Sequence, residues 1–111
     1  MSHLSSNIPG KPVYVVDGCR TPFIKSLGKP GPFYAADLGL AAARSLMMKL
    51  PIDADQIDEV ILGCVSPSAD EANIARIVGL RLGCSEGTPA MTVQRNCASG
   101  MQALDSAALN I

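Results

Sequence analysis

Three short runs of strand-forming residues divide this chain of 111 residues, and the segments between them have the residue pattern of helices. The runs are Val13–Val16, Val60–Val65 and Ala90–Gln94. Strands that alternate with helices along a chain form a mainly parallel sheet with right-handed crossovers, and the helices cover its faces. We therefore predict an α/β fold of order βαβαβα, with a mainly parallel mixed sheet.

The helical segments carry apolar residues at intervals of three and four. The first covers Tyr34–Leu50, which is rich in alanine, leucine and methionine and is stopped by Pro51. The second begins after Asn73, a plausible N-cap, and ends at the C-terminal glycine Gly83. The third starts at Ala98 and is expected to continue to the last residue, with an apolar face formed by Met101, Leu104, Ala108 and Ile111.

The composition favours one globular domain. Hydrophobic residues make up 48% of the chain, and nine basic and ten acidic residues leave a net charge of −1. This charge provides no strong field for nucleic acid or for an anionic membrane, so neither partner is expected. We expect residues 1–12 to be a flexible leader and residues 13–111 to form the domain. The leader has no apolar signal-peptide core, which predicts a cytoplasmic protein.

The four cysteines show no pattern typical of a zinc site or of a disulfide framework, because no two of them form a CxxC pair. No metal site is therefore expected. Cys19 and Cys64 lie next to or within predicted strands and are interpreted as small buried apolar residues. Cys84 follows a helix-ending glycine and is interpreted as an incidental loop thiol. His3, the only histidine, is expected to be a solvated tail residue.

Cys97 directly follows the third predicted strand and is expected in the first turn of the third helix. A helix amino terminus has unpaired N–H groups and a partial positive charge, which stabilise a thiolate and could also hold an oxyanion. Ser99 and Gly100 are small enough to let an acyl group approach the sulfur. The spacing alone leaves two interpretations open, a buried structural thiol and a catalytic nucleophile.

The segment Asn96–Leu104, NCASGMQAL, resembles the nucleophile motif of the thiolase family. Three further segments resemble this family in the expected order: DGCRTPF at residues 17–23, VILGCV at 60–65 and NIAR at 73–76. Ketoacyl synthases have the same fold and a cysteine at this turn. Their cysteine is typically followed by serines where this chain has Ala98, Ser99 and Gly100, so they are the alternative.

The resemblance implies thiolytic cleavage of 3-ketoacyl-CoA, or the reverse Claisen condensation of acyl-CoA. Cys97 would be the nucleophile that carries the acyl group as a thioester, and its backbone N–H would be one oxyanion donor. Coenzyme A would be a substrate, and no metal or redox cofactor is implied. The family also implies a homodimer or a dimer of dimers, with Met91–Arg95 near the interface.

Thiolases take their histidine base, their second cysteine and most of their CoA-binding surface from later in the chain. The segments quoted above correspond to the amino-terminal portion of the family only. We therefore expect the 111 residues to be inactive by themselves. A non-catalytic segment that binds a partner is the second alternative.

Overall fold

The computed structural model describes residues 10–29 and 31–111. His3 and most of the predicted leader lie outside this part of the chain. The elements are two strands and three α-helices, with short 3-10 helices at Ala54–Gln56 and Ala69–Glu71. In chain order they are α1 (Ala35–Met47), β1 (Val60–Gly63), α2 (Ile74–Leu82), β2 (Ala90–Val93) and α3 (Ser99–Leu109).

The two strands form a parallel pair in which Val60 lies opposite Ala90 and Gly63 lies opposite Val93. Both strands therefore end at the same edge of the sheet. The helix α2 makes the crossover between them, as a parallel connection requires. The predicted α/β class and the parallel arrangement are confirmed. Both strands are shorter at their carboxyl ends than the predicted runs.

The prediction of a buried strand at Val13–Val16 is wrong for this structure. These residues have no regular secondary structure, and Val15 is 83% exposed. A buried strand needs a hydrogen-bonded neighbour, and the strands in the described residues, β1 and β2, pair only with each other. The run has the composition of a strand but has no partner here.

The core lies between α1, α2 and one face of β1. Four buried residues form its centre, and Leu62 and Cys64 pack against them; the four are Ala36, Leu40, Ile74 and Val78. The predicted caps of α2 are confirmed, because Asn73 accepts the Arg76 N–H and Gly83 has a φ of 100°. The helix α1 ends at Met47, three residues before the predicted end.

The helix α3 covers the opposite face of β1 with its small residues. Ser99 and Ala103 are buried, whereas Met101 is 70% and Leu104 57% exposed. The sequence pattern identified the bulky residues as the apolar face, but the sheet is too close to the helix to accommodate them on that side. The helix also begins at Ser99 and ends at Leu109, within the predicted range.

No helix in the described ranges, 10–29 and 31–111, is long and apolar enough to span a membrane.

Candidate active site

The turn that carries Cys97 lies at the carboxyl edge of the sheet, between β2 and α3. Beside the end of β2, the Cys64 N–H donates a hydrogen bond to the Val93 oxygen at 3.0 Å. The next residues leave the sheet, and α3 begins six residues after β2 ends. Parallel α/β sheets present ligand sites at this edge, so the position of Cys97 agrees with the prediction.

Hydrogen bonds within the turn hold its backbone in one shape. The Ser99 hydroxyl accepts the Arg95 N–H at 2.9 Å and donates to the Asn96 oxygen at 2.7 Å. The Ala98 N–H donates to the Arg95 oxygen at 3.0 Å. Ser99 is 3% exposed, so these bonds are shielded from water. The residues on both sides of Cys97 are therefore fixed, although Cys97 itself is exposed.

Asn96, immediately before Cys97, has a φ of 48°, in the left-handed region. Asparagine adopts this region more readily than other residues with a side chain. Its N–H donates to the Gln94 side-chain oxygen at 2.7 Å, which stabilises the conformation. The reversal at Asn96 turns the chain between β2 and α3 and leaves the Cys97 side chain exposed.

Cys97 precedes the helix instead of lying in its first turn. Ala98 is the N-cap of α3 and Ser99 is the first helical residue. The N–H groups of Ala98 and Ser99, at the start of the helix, are not free for an oxyanion, because both donate to carbonyl oxygens inside the turn. The Cys97 N–H finds no well-aligned acceptor among the residues that the structure describes, so it remains available as a donor.

The other cysteines have different surroundings. Cys19 is exposed, so its interpretation as a buried apolar residue is wrong: Val13–Val16, which precedes it, forms no strand that could cover it. Cys64 is half-buried against the core, in agreement with the prediction. Cys84 is buried, and its burial raises the pKa of the thiol. It is a packed residue and not a loop thiol at the surface.

Sequence reasoning missed the roles of two residues that shape the site. Gly63 lies in β1, where a glycine inside a strand can signal a close backbone approach. A Cβ atom at this position would collide with the backbone of Ser99 and Gly100. Asn96 is the second residue. A signal for it was present in the sequence, because asparagine is common where the chain turns sharply. The described residues include no histidine, since His3 lies outside them.

No group of histidine, cysteine or acidic residues that could hold a metal ion occurs in the described residues.

The sequence and the fold both match known proteins. Residues 13–111 match the family described as "Thiolase, N-terminal domain". The steroid 3-ketoacyl-CoA thiolase FadA6 of Mycobacterium tuberculosis is 40% identical over 92 residues, which are 82% of this chain and 23% of that protein. The mitochondrial 3-ketoacyl-CoA thiolase of Homo sapiens is 40% identical over 93 residues, covering 83% of this chain and 23% of that protein.

Among solved structures, the acetyl-CoA acetyltransferase of Bacillus anthracis superposes with a TM-score of 0.64 at 37% identity. The superposition covers 68% of this chain and 19% of that one. The 111 residues thus span about a quarter of the length of the curated relatives that they match.

Proposed function

Because this chain belongs to the thiolase family through its amino-terminal domain, we propose that it supplies the nucleophile of a thiolase-type acyltransferase. The reaction is the cleavage of 3-ketoacyl-CoA by CoA, or the reverse condensation of two acyl-CoA molecules. The observation that carries the proposal is the exposed Cys97 thiol, held in a rigid turn at the carboxyl edge of a parallel sheet. The matched family is the thiolases, so the ketoacyl-synthase alternative is set aside.

In the proposed reaction the Cys97 sulfur attacks the 3-keto carbon of the substrate. The bond between the 2- and 3-carbons then breaks, the acyl group stays on the sulfur as a thioester, and the acetyl-CoA enolate leaves and is protonated. The sulfur of CoA attacks the thioester, releases the shortened acyl-CoA and returns the thiol of Cys97. A thiolate suits both steps, since it is a good nucleophile and a good leaving group.

The backbone of the turn favours this chemistry in two ways. The Cys97 N–H, free among the described residues, is the proposed donor to the oxyanion that forms when the sulfur attacks. The amino terminus of α3 begins two residues later, and its partial positive charge favours the thiolate over the thiol. Neither effect needs a metal ion or a redox cofactor.

Proton transfer requires groups from outside the described residues. The only histidine of the chain is His3, which lies outside the described residues. We therefore propose that the base, the second cysteine and most of the CoA-binding surface are contributed by other parts of the protein. General acid-base catalysis is worth about 10²–10⁴-fold, so its loss would leave little turnover.

A homodimer is also proposed, with Met91–Arg95 near the interface. The strand β2 pairs with β1 along one edge, and in the described part of the chain no strand pairs with its other edge. An open edge can accept a strand from a second copy. Met91, in the middle of β2, is partly exposed and could contact its equivalent across such an interface.

The proposal is tested by trapping the acyl-enzyme. The protein encoded by the native gene is mixed with acetyl-CoA, quenched in acid and analysed by intact mass and peptide mapping. We expect one acetyl group on Cys97 and none in Cys97→Ala. Cys19→Ala is the matched control, because Cys19 is also an exposed thiol but lies far along the chain from the turn; this variant should still be acetylated. An acetyl group that persists in Cys97→Ala would rule the assignment out.

A further inference from the structure

One glycine of the neighbouring strand determines how closely the turn with Cys97 can approach the sheet. A Cβ atom added to Gly63 would lie 2.5 Å from the Ser99 oxygen and 2.7 Å from the Gly100 nitrogen, and it would also collide with the Ser99 carbonyl carbon. All three are backbone atoms, so no change of rotamer could relieve the overlap. The start of α3 packs directly against β1 only because residue 63 has no side chain.

A displacement of the start of α3 would reach Cys97 through Ser99. The buried Ser99 hydroxyl is bonded to the Arg95 N–H and to the Asn96 oxygen, so it connects the start of α3 to the residues that precede Cys97. The Cys97 side chain itself is exposed. The position of the side chain is therefore set by the backbone on either side of it. That backbone is linked to the start of α3, which packs against β1.

We propose that Gly63 is a positioning residue for the Cys97 nucleophile. This inference rests on the proposed function, since it concerns the reaction of that sulfur. Non-bonded carbon atoms pack at about 3.5–4.0 Å, so an alanine at position 63 displaces the start of α3 by on the order of 1 Å. A displacement of about 1 Å in a reacting group can slow a reaction by about 10²-fold.

A glycine of the helix on the other face of β1 provides a matched control. A Cβ atom at Gly79, in α2, would lie 3.3 Å from a methyl group of Val60. Gly79→Ala therefore also crowds β1, but against a side chain and away from α3. Comparing Gly63→Ala with Gly79→Ala separates displacement of the turn from general destabilisation of the sheet.

The experiment uses the protein encoded by the native gene and measures two rates at Cys97. The first is acetylation by acetyl-CoA in a single turnover, which needs a thiol oriented toward a bound substrate. The second is alkylation by iodoacetamide, which needs an accessible and partly ionised thiol but no bound substrate. We expect Gly63→Ala to slow acetylation by about 10–10²-fold and to change alkylation much less, because the thiol stays exposed. Gly79→Ala should leave both rates near those of the wild type.

The outcomes distinguish this inference from the proposed function. A wild-type protein that forms no thioester overturns the proposed function and, with it, this inference. Acetylation of Gly63→Ala at the rate of Gly79→Ala, in a protein whose wild type is active, overturns the inference alone. Should Gly63→Ala not fold, Ser99→Ala takes its place, because it removes the connecting hydroxyl without adding an atom. Acetylation of Ser99→Ala at the wild-type rate would then count against the inference.

Discussion

At the scale of single residues, the cysteines differ in how far solvent reaches the sulfur. Cys97 and Cys19 are exposed and Cys84 is buried. We predict that iodoacetamide at neutral pH modifies Cys97 first, Cys19 more slowly and Cys84 last. Cys19 is the internal control for exposure, since it lacks the adjacent helix start. Peptide mapping over time measures the order, and equal rates at Cys97 and Cys19 would show that the turn gives the sulfur no advantage.

Burial of the Cys84 thiol also makes the stability of the fold sensitive to alkaline pH. Its pKa is raised above the ordinary value of 9.0 by desolvation, so the folded state holds the proton more tightly than the unfolded chain. The resulting contribution to stability is present below pH 9.0 and is lost as the pH rises through the raised pKa. Chemical denaturation of the wild type and of Cys84→Ala between neutral and alkaline pH should show a smaller alkaline loss in the variant.

The left-handed conformation of Asn96 gives a second residue-level prediction. A β-branched side chain is strained at a φ of 48°, so Asn96→Val should lower the free energy of unfolding by about 1–2 kcal/mol. Asn96→Gly, which tolerates this φ, should lose less, although it also changes the freedom of the unfolded chain. Denaturant titration measures both variants. A valine variant as stable as the glycine variant would contradict the assigned conformation.

The role of a residue could be predicted from the sequence where its signal lies in the neighbouring residues. The NCASGMQAL segment identifies Cys97 by resemblance, and the caps Asn73 and Gly83 follow from helix-end chemistry. The contact between Gly63 and Ser99 was not predictable, because it depends on the register of two strands and on the depth of a helix. Those quantities are set by packing between segments far apart in sequence.

At the scale of elements, the start of α1 depends on a residue from another segment. The Glu71 carboxylate is buried and accepts the Ala36 N–H at 3.3 Å. Negative charge and an acceptor at a helix amino terminus are both stabilising. We predict that Glu71→Ala lowers the free energy of unfolding by about 1–2 kcal/mol, whereas Glu71→Gln, which keeps an acceptor oxygen, loses less.

Asp70 provides the control for that prediction. It has the same charge and precedes Glu71, but its side chain is exposed. Asp70→Ala should change the free energy of unfolding by less than about 0.5 kcal/mol, as is usual for surface positions. Thermal and denaturant unfolding measure all three variants. An equal loss in Asp70→Ala and Glu71→Ala would show that the effect is general charge and not the contact with α1.

The helices also show where periodicity is informative and where it is not. The spacing of apolar residues located α1, α2 and α3 to within a few residues. It assigned the wrong face of α3 to the sheet, because two faces of that helix are apolar. Small residues face β1 since the backbones approach closely there, and the period of a helix carries no information about that distance.

At the scale of the whole molecule, the proposed nucleophile Cys97 has no assigned base within the 111 residues. We predict that this chain, expressed alone, produces no detectable thiolysis of acetoacetyl-CoA, while the protein encoded by the native gene does. Both are assayed at equal concentration of Cys97, with circular dichroism to show that the short chain is folded. Turnover by the folded short chain at a rate comparable with the full protein would refute the proposal that the base lies elsewhere.

The apolar outer face of α3 predicts self-association of the short chain. Met101 and Leu104 are exposed and line an open groove with residues 13–16. Exposed apolar patches of this kind associate. Sedimentation should give an average mass that rises with concentration, and Met101→Gln combined with Leu104→Gln should reduce it. Met48→Gln, at an exposed residue outside the groove, is the control and should have no effect.

The parallel pairing of β1 and β2 has a consequence for the order in which the site is made during translation. Residues of β1 leave the ribosome before α2, β2 and α3, and a parallel strand cannot pair until its crossover has been synthesised. The contact of Gly63 with Ser99 and Gly100 therefore cannot form until those two residues have been synthesised. The thiol of Cys97 emerges before α3, so the nascent chain exposes the proposed nucleophile before the contacts that position it have formed.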